Sequence, residues 1–200
     1  MQNSYAQYLY LMNEVSKVLI TALAAGVFVY FNNFINDKRK AQLERINKQL
    51  GEFYGPLYSL IKSNQIAWEA FCKKHEVKRV FFDPLDWPSE EKLIAWRLFM
   101  NVVFGPAHEK IYEIIVSKSD LLIEDNMPES LLDLISHILI YKTVRAQWKN
   151  GDFTEHTSII NFPGEAQEYI STSFIKLKKE QYFFLHNNIL KIVLSKKYWA

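Results

Sequence analysis

The segment of residues 18–36, VLITALAAGVFVYFNNFIN, constrains this chain most, because it holds 19 consecutive residues without a charged side chain. As an α-helix rising about 1.5 Å per residue, it is about 28 Å long, close to the ~30 Å hydrocarbon core of a bilayer. The charged residues 37–40 (DKRK) end the segment, Tyr10 precedes it and Tyr30 lies in its last turns, as in an interfacial aromatic belt. We therefore predict a transmembrane helix over about residues 15–36.

Two other interpretations of this segment are weaker. A cleaved secretory signal would use the triplet 22–24 (ALA) as its cleavage site, but only residues 18–21 would then form the uncharged core, and no basic cluster precedes them. An unusually apolar helix of a soluble protein is the second alternative, and the asparagines within residues 32–36 are its main support. We expect an uncleaved anchor.

The charges that flank the segment predict its orientation. Residues 37–48 carry five basic and two acidic side chains, whereas Glu14 and Lys17 cancel each other on the N-terminal side. The positive-inside rule then places the C-terminal part in the cytoplasm, which in a bacterium means a single-pass protein of the inner membrane. The lone Cys72 agrees, because it makes no internal disulfide. We predict an anchor, 1–36, and a cytoplasmic domain, 37–200.

Helical periodicity dominates the rest of the chain and predicts an all-α domain. We expect a bundle of about four to five long helices after the transmembrane helix. Gly55-Pro56 and Gly105-Pro106 each interrupt a long helical pattern. Proline lacks an N–H and clashes with the carbonyl four residues earlier, so each pair either kinks a helix or begins a new one. Residues 77–88 are not helical in pattern, and Val80, Phe81 and Phe82 are expected to form a short extended piece there. Residues 151–163 look like an irregular loop.

Catalytic chemistry has weak support in the sequence. His137 lies four residues after Asp133 on a predicted helix, which would suit acid–base work, and His156 stands in a polar loop. His108-Glu109 resembles the start of a zinc-protease helix, but tyrosine stands at position 112, where the second histidine is needed. We therefore predict no metal and no cofactor, and keep His156, His137 and Asp133 as catalytic candidates beside their ordinary structural roles.

Small and basic residues predict contacts with the membrane and with other chains. Ala22, Ala25 and Gly26 share one face of the anchor, where small side chains let two helices approach closely. Basic side chains flank the domain at both ends and would face anionic lipid, the alternative being a solvated surface; they are Lys38, Arg39, Lys40, Lys196 and Lys197. The formal net charge of +2 is too balanced to predict nucleic-acid binding.

Two stretches resemble a group of small, uncharacterised bacterial proteins that have one N-terminal membrane segment. The first is residues 46–58 (INKQLGEFYGPLY), with its Phe-Tyr-Gly-Pro-Leu box. The second comprises His137, Tyr141, Trp148, Gly151, Asp152, His156, Phe162 and Pro163. The resemblance implies the architecture and a bacterial source, but no catalytic residue. Some bacterial single-pass proteins of this size are membrane effectors or accessory proteins in phage defence, which is an analogy.

These observations lead to one main functional hypothesis and two alternatives. We expect a non-enzymatic, membrane-anchored helical module that binds a protein partner or a small signal and acts through self-association. The first alternative is a membrane-tethered hydrolase that uses histidine and aspartate, and it requires those side chains to meet in one pocket. The second is a structural membrane subunit of a larger complex, which would show an exposed apolar patch.

Overall fold

The chain is all-helical over the residues that the structure, a computed structural model, describes, namely 2–77 and 80–186. The α-helices of this part are α1 (Gln2–Lys48), α2 (Gly55–Lys74), α3 (Glu90–Phe99), α4 (Gly105–Ser117), α5 (Glu129–Lys149) and α6 (Gly164–His186). The predicted all-α class is confirmed. The predicted count of four to five long helices and the two predicted kinks are not confirmed as stated. A π-helical turn stands immediately before each Gly-Pro pair.

Contacts divide the chain into two compact units, which we describe separately. The first unit comprises the described residues of Met1–Glu44 and Tyr182–Ala200, and the second comprises Arg45–Gln181. In the first unit, the Arg39 guanidinium donates a hydrogen bond to the carbonyl oxygen of Phe184. Phe184 is buried, whereas the next residue of α6, Leu185, is 56% exposed.

Among the described residues, one helix is long and apolar enough to cross a membrane. It lies near the N-terminus, and none of its apolar window is buried within the protein. Side chains such as Ile20, Leu23 and Phe28 are at least 66% exposed, so this helix is unlike the core helix of a soluble protein. A signal sequence would meet the same criteria of length and polarity, and the orientation in a membrane stays a prediction.

The second unit has a core rich in aromatic side chains. α4 packs against α2 and α5. α3 begins after Ser89, whose hydroxyl accepts a hydrogen bond from the Lys92 N–H, as expected for a serine at a helix start. The described part of the segment between α2 and α3 forms turns rather than the predicted extended piece. The buried side chains of this core cluster are Phe71, Phe81, Trp96, Met100, Phe104, Tyr141, Val144 and Trp148.

The Phe-Tyr-Gly-Pro-Leu box is part of this packed interior. Phe53, Tyr54 and Leu57 are completely buried. The Tyr54 hydroxyl accepts a hydrogen bond from the Ile123 N–H at 3.1 Å and lies 2.7 Å from the Tyr169 hydroxyl. Because a buried phenol needs hydrogen-bonding partners, these contacts explain the tyrosine in structural terms.

A π-helical turn, Gln49–Tyr54, explains the glycine before the first proline. The Gly55 N–H donates to the Leu50 carbonyl oxygen, five residues earlier, and a Cβ atom on Gly55 would overlap that oxygen. Gly105 likewise donates to the Met100 carbonyl, and there a Cβ atom would meet the flexible Arg145 side chain instead. The backbone therefore excludes a side chain at Gly55 more firmly than at Gly105.

We expect Gly55→Ala to lower the free energy of unfolding by about 1–3 kcal/mol, the usual cost of an overpacked site. Gly51→Ala is the matched control, because a Cβ atom on Gly51, in the same turn, would have no neighbour within 4 Å. This control should be neutral or stabilising by up to about 1 kcal/mol. The measurement is denaturant unfolding of the full chain in mild detergent, and equal effects of the two substitutions would contradict the prediction.

Candidate functional site

A cavity of 290 Å³ lies inside the second unit, between helices and loops that are far apart in sequence. α2 supplies one part of the lining, and α3, α4, α5 and the π-helical turn Met100–Phe104 supply another. The segment after residue 80, the loop of residues 150–163 and the start of α6 supply the rest. The lining residues are Ile61, Asn64, Gln65, Trp68, Val80, Phe81, Phe82, Trp96, Met100, Phe104, His108, His137, Tyr141, Thr157, Asn161, Phe162 and Gln167. Among the described residues of this lining, none has a formally charged side chain.

Trp96 is the centre of the aromatic wall. Its ring centroid lies 5.4 Å from that of Phe81, 5.7 Å from that of Trp68 and 6.0 Å from that of Phe104. These are distances at which aromatic rings attract one another edge-to-face or in tilted arrangements. The wall is therefore held by ring contacts, and the aromatic residues of α2, α3 and the segment after residue 80 form one cluster.

His108 is a buried imidazole in the cavity lining. It is 7% exposed, and its ring stacks against Phe104 and Phe162 with centroids 6.3 and 6.4 Å away. Its Nδ1 atom has no hydrogen-bonding partner among the residues that the structure describes. Burial, with smaller effects from His137 and Arg145, lowers the pKa of His108 to about 3. The imidazole is therefore neutral at physiological pH.

His137 faces the same space from α5. Its Nδ1–H donates a hydrogen bond to the Ile160 carbonyl oxygen at 2.6 Å, because a carbonyl can only accept. In the neutral ring this leaves Nε2 with a free lone pair. Burial lowers the pKa of His137, and its ring centroid is 5.5 Å from that of His108. The two histidines together give the cavity neutral hydrogen-bonding groups.

The loop wall is held through its backbone carbonyls. The Trp96 indole N–H donates to the carbonyl oxygen of His156 at 3.0 Å, and the Trp148 indole N–H donates to that of Glu155 at 2.7 Å. The Tyr141 hydroxyl donates to the Thr157 hydroxyl oxygen at 3.1 Å, and burial raises the pKa of this tyrosine to about 12. These bonds fix the loop that carries Thr157 into the cavity.

Side-chain amides form the polar edge of the cavity on the α2 side. Gln65 Oε1 accepts hydrogen bonds from Gln167 Nε2 at 2.8 Å and from Lys62 Nζ at 3.2 Å. Asn64 Nδ2 is buried and has no partner in the described part of the chain. At the mouth, Val80 and Asn161 line the cavity and are solvent-exposed. A ligand could therefore enter near these two residues.

Of the three predicted catalytic candidates, all within the described residues, only His137 lines the cavity. Asp133 is exposed, and His137 Nδ1 bonds to Ile160 rather than to Asp133. The His156 ring stacks parallel to Phe82 with centroids 6.5 Å apart, and its Nδ1 is buried without a described partner. The structure thus does not bring the three together.

His108 is a functional candidate that the sequence motifs do not reveal. With Glu109 it resembles a metal motif, whereas its relevant neighbours are Phe104 four residues earlier and Ile111 three residues later. That spacing places the histidine on the apolar face of α4, which is a signal for a buried imidazole. No cluster of three or more His, Cys, Asp or Glu side chains suited to a metal occurs among the described residues.

The predicted membrane-facing residues lie in the first unit or outside the described part. A Cβ atom added to Gly26 would have no described atom within 4 Å apart from the adjoining backbone of its own helix, which leaves room for a second helix. Lys38 Nζ lies 4.9 Å from the centre of the Phe34 ring, a cation–π contact. Lys40 is exposed, whereas Lys196 and Lys197 fall outside the described residues. Their predicted contact with lipid stays a prediction.

Comparison with models of protein families, with curated proteins and with solved structures finds no match to this chain. The cavity and its chemistry therefore supply the basis for any function.

Proposed function

We propose that this chain is a non-enzymatic, membrane-anchored helical module that binds a small molecule in the aromatic cavity of residues 61–167. In this proposal the anchor holds the domain at the cytoplasmic face of the bacterial inner membrane. Binding of the ligand, or of a protein partner, changes self-association through the face of Ala22, Ala25 and Gly26. A role as an effector or accessory protein in bacterial defence is the biological context we favour.

The observation that carries the proposal is the composition of the cavity. A buried polar atom without a partner costs about 1–3 kcal/mol, and natural cores contain few of them. Here His108 Nδ1 and Asn64 Nδ2 belong to residues that line one aromatic cavity of 290 Å³. An apolar space with a few convergent polar groups is the usual form of a small-molecule site.

Binding is better supported than hydrolysis. The one aliphatic hydroxyl of the described lining belongs to Thr157, and its oxygen accepts a hydrogen bond from Tyr141. Asp133, which would orient His137 in a catalytic pair, is exposed. The geometry thus provides a base, His137 Nε2, without an activated nucleophile beside it.

A second candidate function, the structural subunit of a membrane complex, rests on a separate surface. Ile94 and Leu98 lie one turn apart on α3 and are 57% and 64% exposed, and Val102, in the following π-helical turn, is 65% exposed. Apolar side chains grouped in this way favour contact with another protein. This candidate requires a partner on α3 rather than a ligand in the cavity.

The test of the proposal uses the full chain in mild detergent and a panel of uncharged molecules: hexanol, benzyl alcohol, uracil and adenine. We expect at least one to raise the midpoint of thermal unfolding, because a ligand that binds only the folded state stabilises it. Asn161→Trp should abolish the shift by filling the mouth. Ile159→Trp is the matched control, since Ile159 is 86% exposed and does not line the cavity. No shift with any member, or equal shifts in both variants, would contradict the proposal.

A further inference from the structure

Resting on the proposed function, we infer that the cavity of residues 61–167 binds an uncharged, planar heteroaromatic molecule about the size of a purine base. The inference concerns the chemical class of the ligand. It follows from three properties of the lining, namely its charge, its aromatic faces and the position of its amide and imidazole groups.

The lining selects against charged ligands. None of its described residues is Asp, Glu, Lys or Arg. Both histidines are neutral at pH 7, because burial lowers their pKa values. A charged group transferred from water into such a site without a counter-charge is strongly disfavoured. The described lining therefore suits a free base better than a nucleotide phosphate or a carboxylic acid.

The ring faces favour a flat ligand. The Phe104, His108 and Phe162 rings lie within 27° of parallel to their neighbours in one stack. Trp68 and Trp96 stand nearly perpendicular to each other on another side, with an interplanar angle of 77°. Aromatic side chains bind unstacked bases through their faces. At about 30 Å³ for each water-sized group, a cavity of 290 Å³ has room for about ten such groups, which is enough for a bicyclic ring of purine size.

The polar groups favour a heteroaromatic ring over a hydrocarbon ring. Asn64 Nδ2 is an unpartnered donor, and His137 Nε2 is an acceptor because its Nδ1–H is already bonded to Ile160. His108 Nδ1 is also free of described partners. A ring with both donors and acceptors on its edge can pair with these groups, whereas a hydrocarbon leaves them unpaired.

The test is calorimetric titration of the full chain in mild detergent, with empty micelles as the blank. The probes are adenine and indole, which have similar bicyclic shapes, and uracil and orotate, which differ by one carboxylate. We expect adenine to bind at least tenfold more tightly than indole, because indole lacks the ring nitrogen acceptors. Uracil should bind at least tenfold more tightly than orotate.

Asn64→Leu tests whether Asn64 recognises the ligand or only stabilises the fold. This substitution should weaken the binding of adenine at least tenfold and leave the binding of indole equal or tighter. A merely structural role of Asn64 would not produce this change in selectivity. Ser63→Leu is the control, because Ser63 is exposed and does not line the cavity.

Other outcomes distinguish the two proposals. If indole binds as tightly as adenine, or orotate as tightly as uracil, the inference about ligand class is wrong, whereas the cavity still binds small molecules. An unchanged ratio of adenine to indole affinity in Asn64→Leu would also overturn it. If no probe binds and the earlier panel gives no shift, both the ligand class and the proposed function fail.

Discussion

Trp96→Ala is expected to lower the free energy of unfolding by about 3–5 kcal/mol, the usual cost of truncating a large aromatic residue in a core. Trp96 is 7% exposed and touches rings from α2, from the segment after residue 80 and from α5. Its loss would also leave the His156 carbonyl without the indole donor. The measurement is denaturant unfolding of the full chain in mild detergent.

Two further variants make this expectation specific. Trp96→Phe keeps part of the ring contacts and removes the indole N–H, so its effect should lie between wild type and Trp96→Ala. Trp87→Ala is the control, because Trp87 is 53% exposed. If Trp87→Ala costs as much as Trp96→Ala, Trp96 is not the centre of the aromatic wall.

The second large effect is a loss of stability on acidification that depends on His108. The folded state lowers the pKa of His108 to about 3, whereas an unfolded histidine has a pKa of about 6.5. Between these values the unfolded chain binds a proton that the folded chain does not. Stability is therefore fully present above the unfolded pKa and falls as pH decreases from about 6.5 toward 3.

We expect His108 to account for about 2 kcal/mol of stability lost between pH 7 and pH 5. His108→Phe removes the titrating group and keeps a ring between Phe104 and Phe162, so the free energy of unfolding should depend less on pH in this variant. His186→Asn is the control, because His186 is exposed. The free energy of unfolding is measured in detergent at several pH values. If it depends on pH as steeply in His108→Phe as in the wild type, His108 is not buried in its neutral form.

Features with a local cause could be predicted from the sequence. The uncharged run of residues 18–36 is contiguous, so its length and polarity indicate a helix able to cross a membrane. The start of α3 at Ser89 follows from the capping hydroxyl and the acidic residues behind it. These features depend on residues within one or two turns of each other, which a single sequence displays directly.

The candidate site could not be predicted because its residues are far apart in sequence. Asn64, His108 and His137 come from three helices, and only tertiary packing brings their side chains into one cavity. The π-helical turns were missed for a related reason. Gly-Pro predicts an interruption, but a helix that continues with one wider turn has the same local sequence as one that bends.

Two hydrogen bonds that hold the loop of residues 150–163 in place do not depend on the side chains of the loop. Trp96 and Trp148 bond to the backbone carbonyls of His156 and Glu155, and every residue has a carbonyl. A substitution at Glu155 or His156 therefore leaves the carbonyl acceptor of each bond in place. Asn161, at the mouth of the cavity, is exposed and takes no part in these two bonds, so it can change without removing them. Relatives of this chain with the same two tryptophans could thus hold the same wall in place while accepting different ligands.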